Sequence, residues 1–169
     1  SRMERSPSKL KWISFRLISF FYLFFIFFPL TTSFYSFGPL FILYILLICI
    51  FSDIGGYVVG KSVGGKKLTK ISPNKTISGS IGSFLFSLFP AGWIIFNENL
   101  GWTKEEDIIF YALIISLSCQ LGDLVISYFK RMAKVKDTGN ILPGHGGMLD
   151  RIDGIIFAIP TSFIISYLL

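Results

Sequence analysis

Five stretches of the chain are apolar almost without interruption, and polar segments separate them. They run from Ile13 to Phe37, Pro39 to Val59, Ile77 to Phe96, Ile108 to Phe129 and Ile152 to Leu169. A bilayer's hydrocarbon core takes roughly 20 residues of helix, so each run reads as a transmembrane span, the last one short but adequate. Arg16 lies near the start of the first run, where a long side chain can reach the interface. A secretory signal is the other reading of that run, but its apolar part would be only about 7–15 residues long and would end at small residues. The first run is longer and has no such end, so it counts as a span. The pattern predicts an all-α integral membrane protein of about five transmembrane helices. It is organised as a basic tail over residues 1–12 and a single membrane domain over residues 13–169. Ser1 and Arg2 precede Met3 and read as residues added ahead of the natural start.

Composition agrees with the pattern. Of 169 residues, 52% are hydrophobic and 19 are Phe, and the mean hydropathy is +0.65, well above that of a soluble domain. Cys49 and Cys119 both fall inside runs, where a thiol acts as a small apolar side chain, so neither a disulfide nor a zinc site is implied.

Charge orients the spans. If they alternate, the amino-terminal tail, the loop from Gly60 to Thr76 and the loop from Lys130 to Arg151 share one side. Fifteen of the 16 basic residues fall there, leaving Lys104 alone among four acidic residues on the opposite side. The positive-inside rule places the two basic loops in the cytoplasm and the carboxyl terminus outside. Topology and anionic lipid account for the basic tail. They do not account for the loops.

Each carboxylate inside a bilayer costs about 2.5–3.5 kcal/mol on insertion scales and so calls for a partner or a function. Asp53 lies in the second run and Asp123 in the fourth. Ser127 and Lys130 follow Asp123 by four and seven residues, on one helical face leading into the second basic loop. Pairing of Asp123 with Lys130 or Arg131 to ease insertion is the plain alternative to a functional role. Gly56, Gly60 and Gly64, spaced by four, fit close helix packing better than phosphate binding. In the first loop Ser72-Pro73 reads as a turn, and Thr76 or Ser78 can cap the third span. A helix amino terminus attracts anions, and Lys75 with the hydroxyls of Ser72 and Thr76 would face the same one. The second loop, KDTGNILPGHGGMLDRIDG, combines glycine turns with Asp150 and Asp153 three residues apart and Arg151 between them. Carboxylates beside cationic groups suit a hard divalent ion and phosphate. A lone histidine such as His145 is more often a hydrogen-bonding loop residue than a base.

Taken together, Ser127 to Arg131, Lys136-Asp137, Gly139, Leu142-Pro143, His145-Gly146-Gly147 and Asp150 to Asp153 form a signature 27 positions long. It resembles that of the CDP-diacylglycerol synthases, or phosphatidate cytidylyltransferases. Gly122-Asp123-Leu124, Ser72 to Thr76 and Asp53 ahead of GGYVVGKSVGGKKL resemble the family's other landmarks, so the likeness runs from about Leu47 to the end. Two departures stand out. Where members usually have glutamate, this chain has Ser78, and members usually carry more amino-terminal spans.

The resemblance implies transfer of a cytidylyl group from CTP to phosphatidate, giving CDP-diacylglycerol and pyrophosphate for phospholipid synthesis, with Mg²⁺ and room for a second cation. It implies Asp123 and Asp150 as metal ligands and Asp153 as a ligand or its neighbour. It implies Lys130, Arg131, Lys136 and Arg151 as phosphate-binding residues, helped by Ser72, Lys75 and Thr76. His145, Gly146 and Gly147 would shape the nucleotide site, and Ser127 and Asp137 belong to the same substrate-binding signature. Asp53 is expected to face the same cavity. The implied setting is the cytoplasmic side of the inner (plasma) membrane. The expected partners are CTP, phosphatidate and membrane lipid, not nucleic acid, and a homodimer would help five short helices surround a polar cavity. Two rivals remain: an inactive or accessory subunit of the same fold, and an ion-coupled transporter using Asp53 and Asp123.

Overall fold

A computed structural model describes residues 9–69, 72–97, 105–135 and 152–168. Among them the chain forms five helices and no strand. These are α1 (Lys9–Phe37), α2 (Pro39–Val63), α3 (Ile77–Asn97), α4 (Glu105–Met132) and α5 (Ile155–Ser166). Every apolar run yields one helix. By length and composition α2, α3 and α4 can cross a membrane. The last helix is shorter than the run behind it: its 12 residues rise about 18 Å, against a hydrocarbon thickness of about 30 Å. Asp153 therefore lies in the turn ahead of α5, outside the helix.

Between α1 and α2 the chain reverses at Gly38, whose φ of 84° suits a residue without Cβ. Pro39 then opens α2, at a position where its missing N–H costs nothing. One helix, α3, is turned inside out relative to an amphipathic helix of a soluble protein. On α3 the apolar residues Ile81, Leu85, Phe89 and Trp93, four apart, are all more than half exposed, while Ser83 and Ser87 are buried. An outward apolar stripe over a polar interior is what lipid as solvent selects.

Glycines bring α2 and α3 into backbone contact. A Cβ on Gly55 would fall 2.5 Å from the Gly82 carbonyl oxygen, and one on Gly79 2.7 Å from that of Gly56. Gly56 and Gly60 thus serve close packing, as their spacing predicts. Gly64 differs, ending α2 with a φ of 64°. A buried apolar cluster lies toward the end of the bundle where α2 and α4 begin, with the rings of Tyr44 and Tyr111 stacked at 5.8 Å beside buried Phe41, Ile45 and Ile115. Connectivity therefore leaves the end of α2, the start of α3, the end of α4 and the start of α5 together at the opposite end.

Candidate active site

At that shared end lies a cavity of about 370 Å³, lined from α2, α3 and α4, from the turn before α5 and from the loop between α2 and α3. The loop is ordered by its own hydrogen bonds. Lys67 and Thr76 form an isolated antiparallel bridge, the Leu68 N–H donates to the Lys75 carbonyl at 2.8 Å, and the Lys75 N–H donates to the Ser72 carbonyl at 3.1 Å. The last bond closes a β-turn over Ser72-Pro73-Asn74-Lys75, with proline at the second position, where its fixed φ fits. Thr76 then caps α3, its hydroxyl accepting the Gly79 N–H at 3.1 Å. Turn and cap together carry Ser72, Asn74, Lys75 and Thr76 to the cavity wall.

Three carboxylates face the same space: Asp53 from α2, Asp123 from α4 and Asp153 from the turn before α5. Two lysines answer them. Lys75 pairs with Asp123, both side chains being about 30% exposed, and Lys130 Nζ lies 3.3 Å from Asp153 Oδ2 with both groups nearly buried. Asp123 Oδ1 also accepts a long hydrogen bond, 3.4 Å, from Ser127. The Gly154 N–H donates to Asp153 Oδ1 at 3.0 Å. Burial and the nearby charge of Asp123 push the Asp153 carboxyl up to about 6, against the opposing pull of Lys130. Among the described residues three carboxylates thus face two lysines, a setting that favours a further cation.

The face shared by Asp123, Ser127 and Lys130 exists, but the pairing is not the simple one within α4. Asp123 takes its lysine from the first loop, and Lys130 takes its carboxylate from the turn before α5. Arg131 is exposed and is not among the cavity-lining residues. Lys136, Asp137, His145, Gly146, Gly147, Asp150 and Arg151 lie outside the described residues. Sequence reasoning missed Tyr57, Asn74, Ser80, Ser83 and Gln120, all in the cavity wall. Helical periodicity offered a signal for two of them, since Ser80 follows Thr76 by four residues and Gln120 precedes Asp123 by three.

Among the described residues no three His, Cys, Asp or Glu side chains come close enough to hold a metal ion by themselves. The chemistry of the donors nevertheless fits Mg²⁺, which takes one or two carboxylates and leaves its other positions to water and substrate phosphate. Asp123 is such a carboxylate, facing the cavity beside Asp53 and Asp153.

A family model described as the cytidylyltransferase family matches residues 3–169. The chain belongs to that family. Phosphatidate cytidylyltransferase of Staphylococcus aureus is 48% identical over 128 residues, covering 73% of this chain and 47% of its own length. The protein of that name from Staphylococcus haemolyticus is 44% identical over the same length and coverage. That from Rickettsia bellii is 43% identical over 123 residues, covering 68% of this chain and 52% of its own. The chain thus spans about half the length of the curated relatives it matches. Ser78, where the resemblance leads one to expect glutamate, donates its hydroxyl to the Gly64 carbonyl and lies 3.0 Å from the Thr76 hydroxyl. It is tied into the loop and is not among the residues lining the cavity.

Proposed function

We propose that this chain transfers the cytidylyl group of CTP to phosphatidate, releasing pyrophosphate and forming CDP-diacylglycerol, at the cytoplasmic face of the plasma membrane. One observation carries most weight. Asp53, Asp123 and Asp153 meet Lys75 in a single polar cavity at the loop end of the bundle, and Lys130 pairs with Asp153 from α4. A water-soluble nucleotide can reach such a cavity from the loops, and a lipid head group can reach it from the bilayer. The names of the relatives point to the same pair of substrates.

In this reading an oxygen of the phosphatidate phosphate attacks the α-phosphorus of CTP in line. A new P–O bond forms as the bond to the bridging oxygen breaks, and the electron pair leaves with pyrophosphate. The attacking oxygen is already ionised near neutral pH, so no protein nucleophile and no strong base is required. What the chain must supply is charge neutralisation and alignment of two polyanions. Lys75, held by Asp123 in the structure, turns to a phosphate oxygen when substrate arrives. Thr76 and the amino terminus of α3 face the same anion. Lys130, fixed by Asp153, keeps positive charge beside the reacting groups, and Arg131 adds to the field from the rim. Ser72 and Ser127 offer hydroxyl donors. Asp123 and Asp150 would hold Mg²⁺, which neutralises charge on the transferring and leaving phosphates.

In the second basic loop, Lys136 and Arg151 would bind phosphates, His145 and the backbone of Gly146 and Gly147 would shape the nucleotide site, and Asp137 would belong to the same substrate-binding signature. Residues 13–169 would form one catalytic domain, and a homodimer would complete the protein wall around the cavity.

Isotope transfer tests the proposal. With phosphatidate in mixed micelles, α-labelled CTP should give label extractable into organic solvent, and γ-labelled CTP should not. Extractable label from γ-labelled CTP and none from α-labelled CTP would indicate a kinase-like transfer instead. Label from neither, with folded protein, would favour an accessory subunit without its own activity.

A further inference from the structure

Beside the charged groups, a chain of neutral hydrogen bonds links three helices. Ser80, in the first turn of α3, donates to Gln120 Oε1 of α4 at 2.5 Å. Gln120 Nε2 donates to Ser116 Oγ, one turn earlier on α4, at 3.4 Å. Ser116 Oγ in turn lies 2.8 Å from Ser52 Oγ of α2. Ser52 and Ser116 are completely buried, whereas Ser80 and Gln120 reach the cavity wall. A buried hydroxyl without a partner costs about 1–3 kcal/mol, so each member holds the next in place.

Position gives the chain its meaning. Ser52 immediately precedes Asp53, Gln120 precedes Asp123 by three residues, and Ser80 follows Lys75 by five. The helices α2 and α4, which carry Asp53 and Asp123, and α3, which follows Lys75, are therefore tied together next to those charges. In the structure a second tie does the same work: the ion pair of Lys75 with Asp123. That tie is under competition in a reaction. A substrate phosphate that recruits Lys75 draws on it, and so does a cation that recruits Asp123. The bonds among Ser80, Gln120, Ser116 and Ser52 carry no net charge, and nothing in those events requires them to break.

We infer that Gln120 is a positioning residue that keeps α3 docked against α4 when the Lys75–Asp123 pair opens. Lys75 and Asp123 then remain within reach of the same phosphates. This role rests on the reading of the cavity as the site of CTP and phosphatidate. Gln120 bonds to Ser80 of α3 and to Ser116 of its own helix through one amide, so its replacement severs the link between α3 and α4 and leaves the Ser116–Ser52 bond in place.

The test uses the full chain in detergent-lipid micelles, with Gln120→Leu, Ser80→Ala and Ser80→Thr, each assayed well below its own melting temperature. Gln120→Leu and Ser80→Ala should each lower kcat/KM for CTP about tenfold, the loss of one net hydrogen bond of about 1.4 kcal/mol. Their combination should fall little further, because the two groups act as one unit. Ser80→Thr keeps the hydroxyl and should retain most activity. A purely structural role would lower melting temperatures without changing turnover of the folded enzyme. Wild-type kcat/KM in Gln120→Leu would overturn the positioning role and leave the cytidylyl-transfer reading standing.

A second readout does not depend on turnover. Spin labels replacing the exposed Lys66 and Met132 report the separation of the α3 and α4 ends. On addition of CTP with Mg²⁺, Gln120→Leu should give a longer and broader distance distribution, while the protein with Gln120 stays narrow. If the wild type neither binds nor consumes CTP, the functional reading fails. The same labels, without nucleotide and with Lys75→Met removing the ion pair, then decide the positioning role. No broadening when Gln120→Leu is added would overturn it, and broadening would support it.

Discussion

Asp123 stands where the charges of the cavity meet. Its carboxylate is paired with Lys75 from the first loop, accepts the Ser127 hydroxyl and sits close enough to Asp153 to raise that residue's pKa. Sequence reasoning found Asp123 because a carboxylate inside an apolar run is costly and must be explained. It could not find the partner. On helical geometry alone Lys130, seven residues on, shares a face with Asp123, but tertiary packing brings the first loop nearer to Asp123 and the α5 turn nearer to Lys130. Serines and a glutamine in a membrane helix cost little and raise no alarm, so Ser80, Ser83 and Gln120 stayed hidden until their neighbours across the bundle were known. The functional weight of Asp123 is testable by Asp123→Asn, which keeps shape and removes charge. The pair with Lys75 is partly exposed and contributes little to stability. Turnover should fall by about 10²–10³-fold or more, the scale of losing one preorganised electrostatic group, while the protein still inserts and melts near the wild-type temperature. Near-normal pyrophosphate release by this variant would remove Asp123 from the machinery.

At the scale of elements, the first basic loop and the contact between α2 and α3 show how sequence becomes geometry. Proline fixed the turn at Ser72-Pro73, and Thr76 capped α3, both readable from local chemistry. The contact between α2 and α3 was half readable. The spacing of Gly56 and Gly60 announces a small-residue face, but not that Gly79 and Gly82 lie across from it. At Gly82 a Cβ would fall 2.5 Å from Val59 Cβ and 2.7 Å from the Gly55 carbonyl oxygen. Neither helix can absorb that without moving, and both carry cavity residues. Gly82→Ala should therefore destabilise by about 1–3 kcal/mol, seen as a lower melting temperature in detergent, and Gly82→Leu should prevent recovery of folded protein. A Gly82→Leu variant that folds and melts as the wild type would mean that α2 and α3 are not held at this distance in the membrane.

For the whole molecule, the apolar pattern foretold an all-helical membrane protein, and each run became a helix. Length is where pattern and structure part. α5 is helical over only 12 residues, because the polar turn around Asp153 draws the start of its run into the cavity wall. The cavity itself was legible as a concentration of costly polar residues at one end of the bundle, and Asp53, Asp123 and Asp153 do converge there. Its setting in the cell follows from charge. If the basic loops are cytoplasmic, a cysteine placed at Asn99 should react with a membrane-impermeant reagent only from outside the cell. Labelling only from the cytoplasmic side would invert the topology and place the cavity where CTP is absent.

The central claim is that this cavity joins a nucleotide to a lipid phosphate. Pyrophosphate release by the purified protein in detergent-lipid micelles tests it most directly, with CTP, phosphatidate and Mg²⁺ each omitted in turn and Asp150→Asn assayed alongside. Release that needs all three components and is lost in the variant is the predicted result. Folded protein that releases no pyrophosphate with all three present, or releases it equally without phosphatidate, would contradict the account.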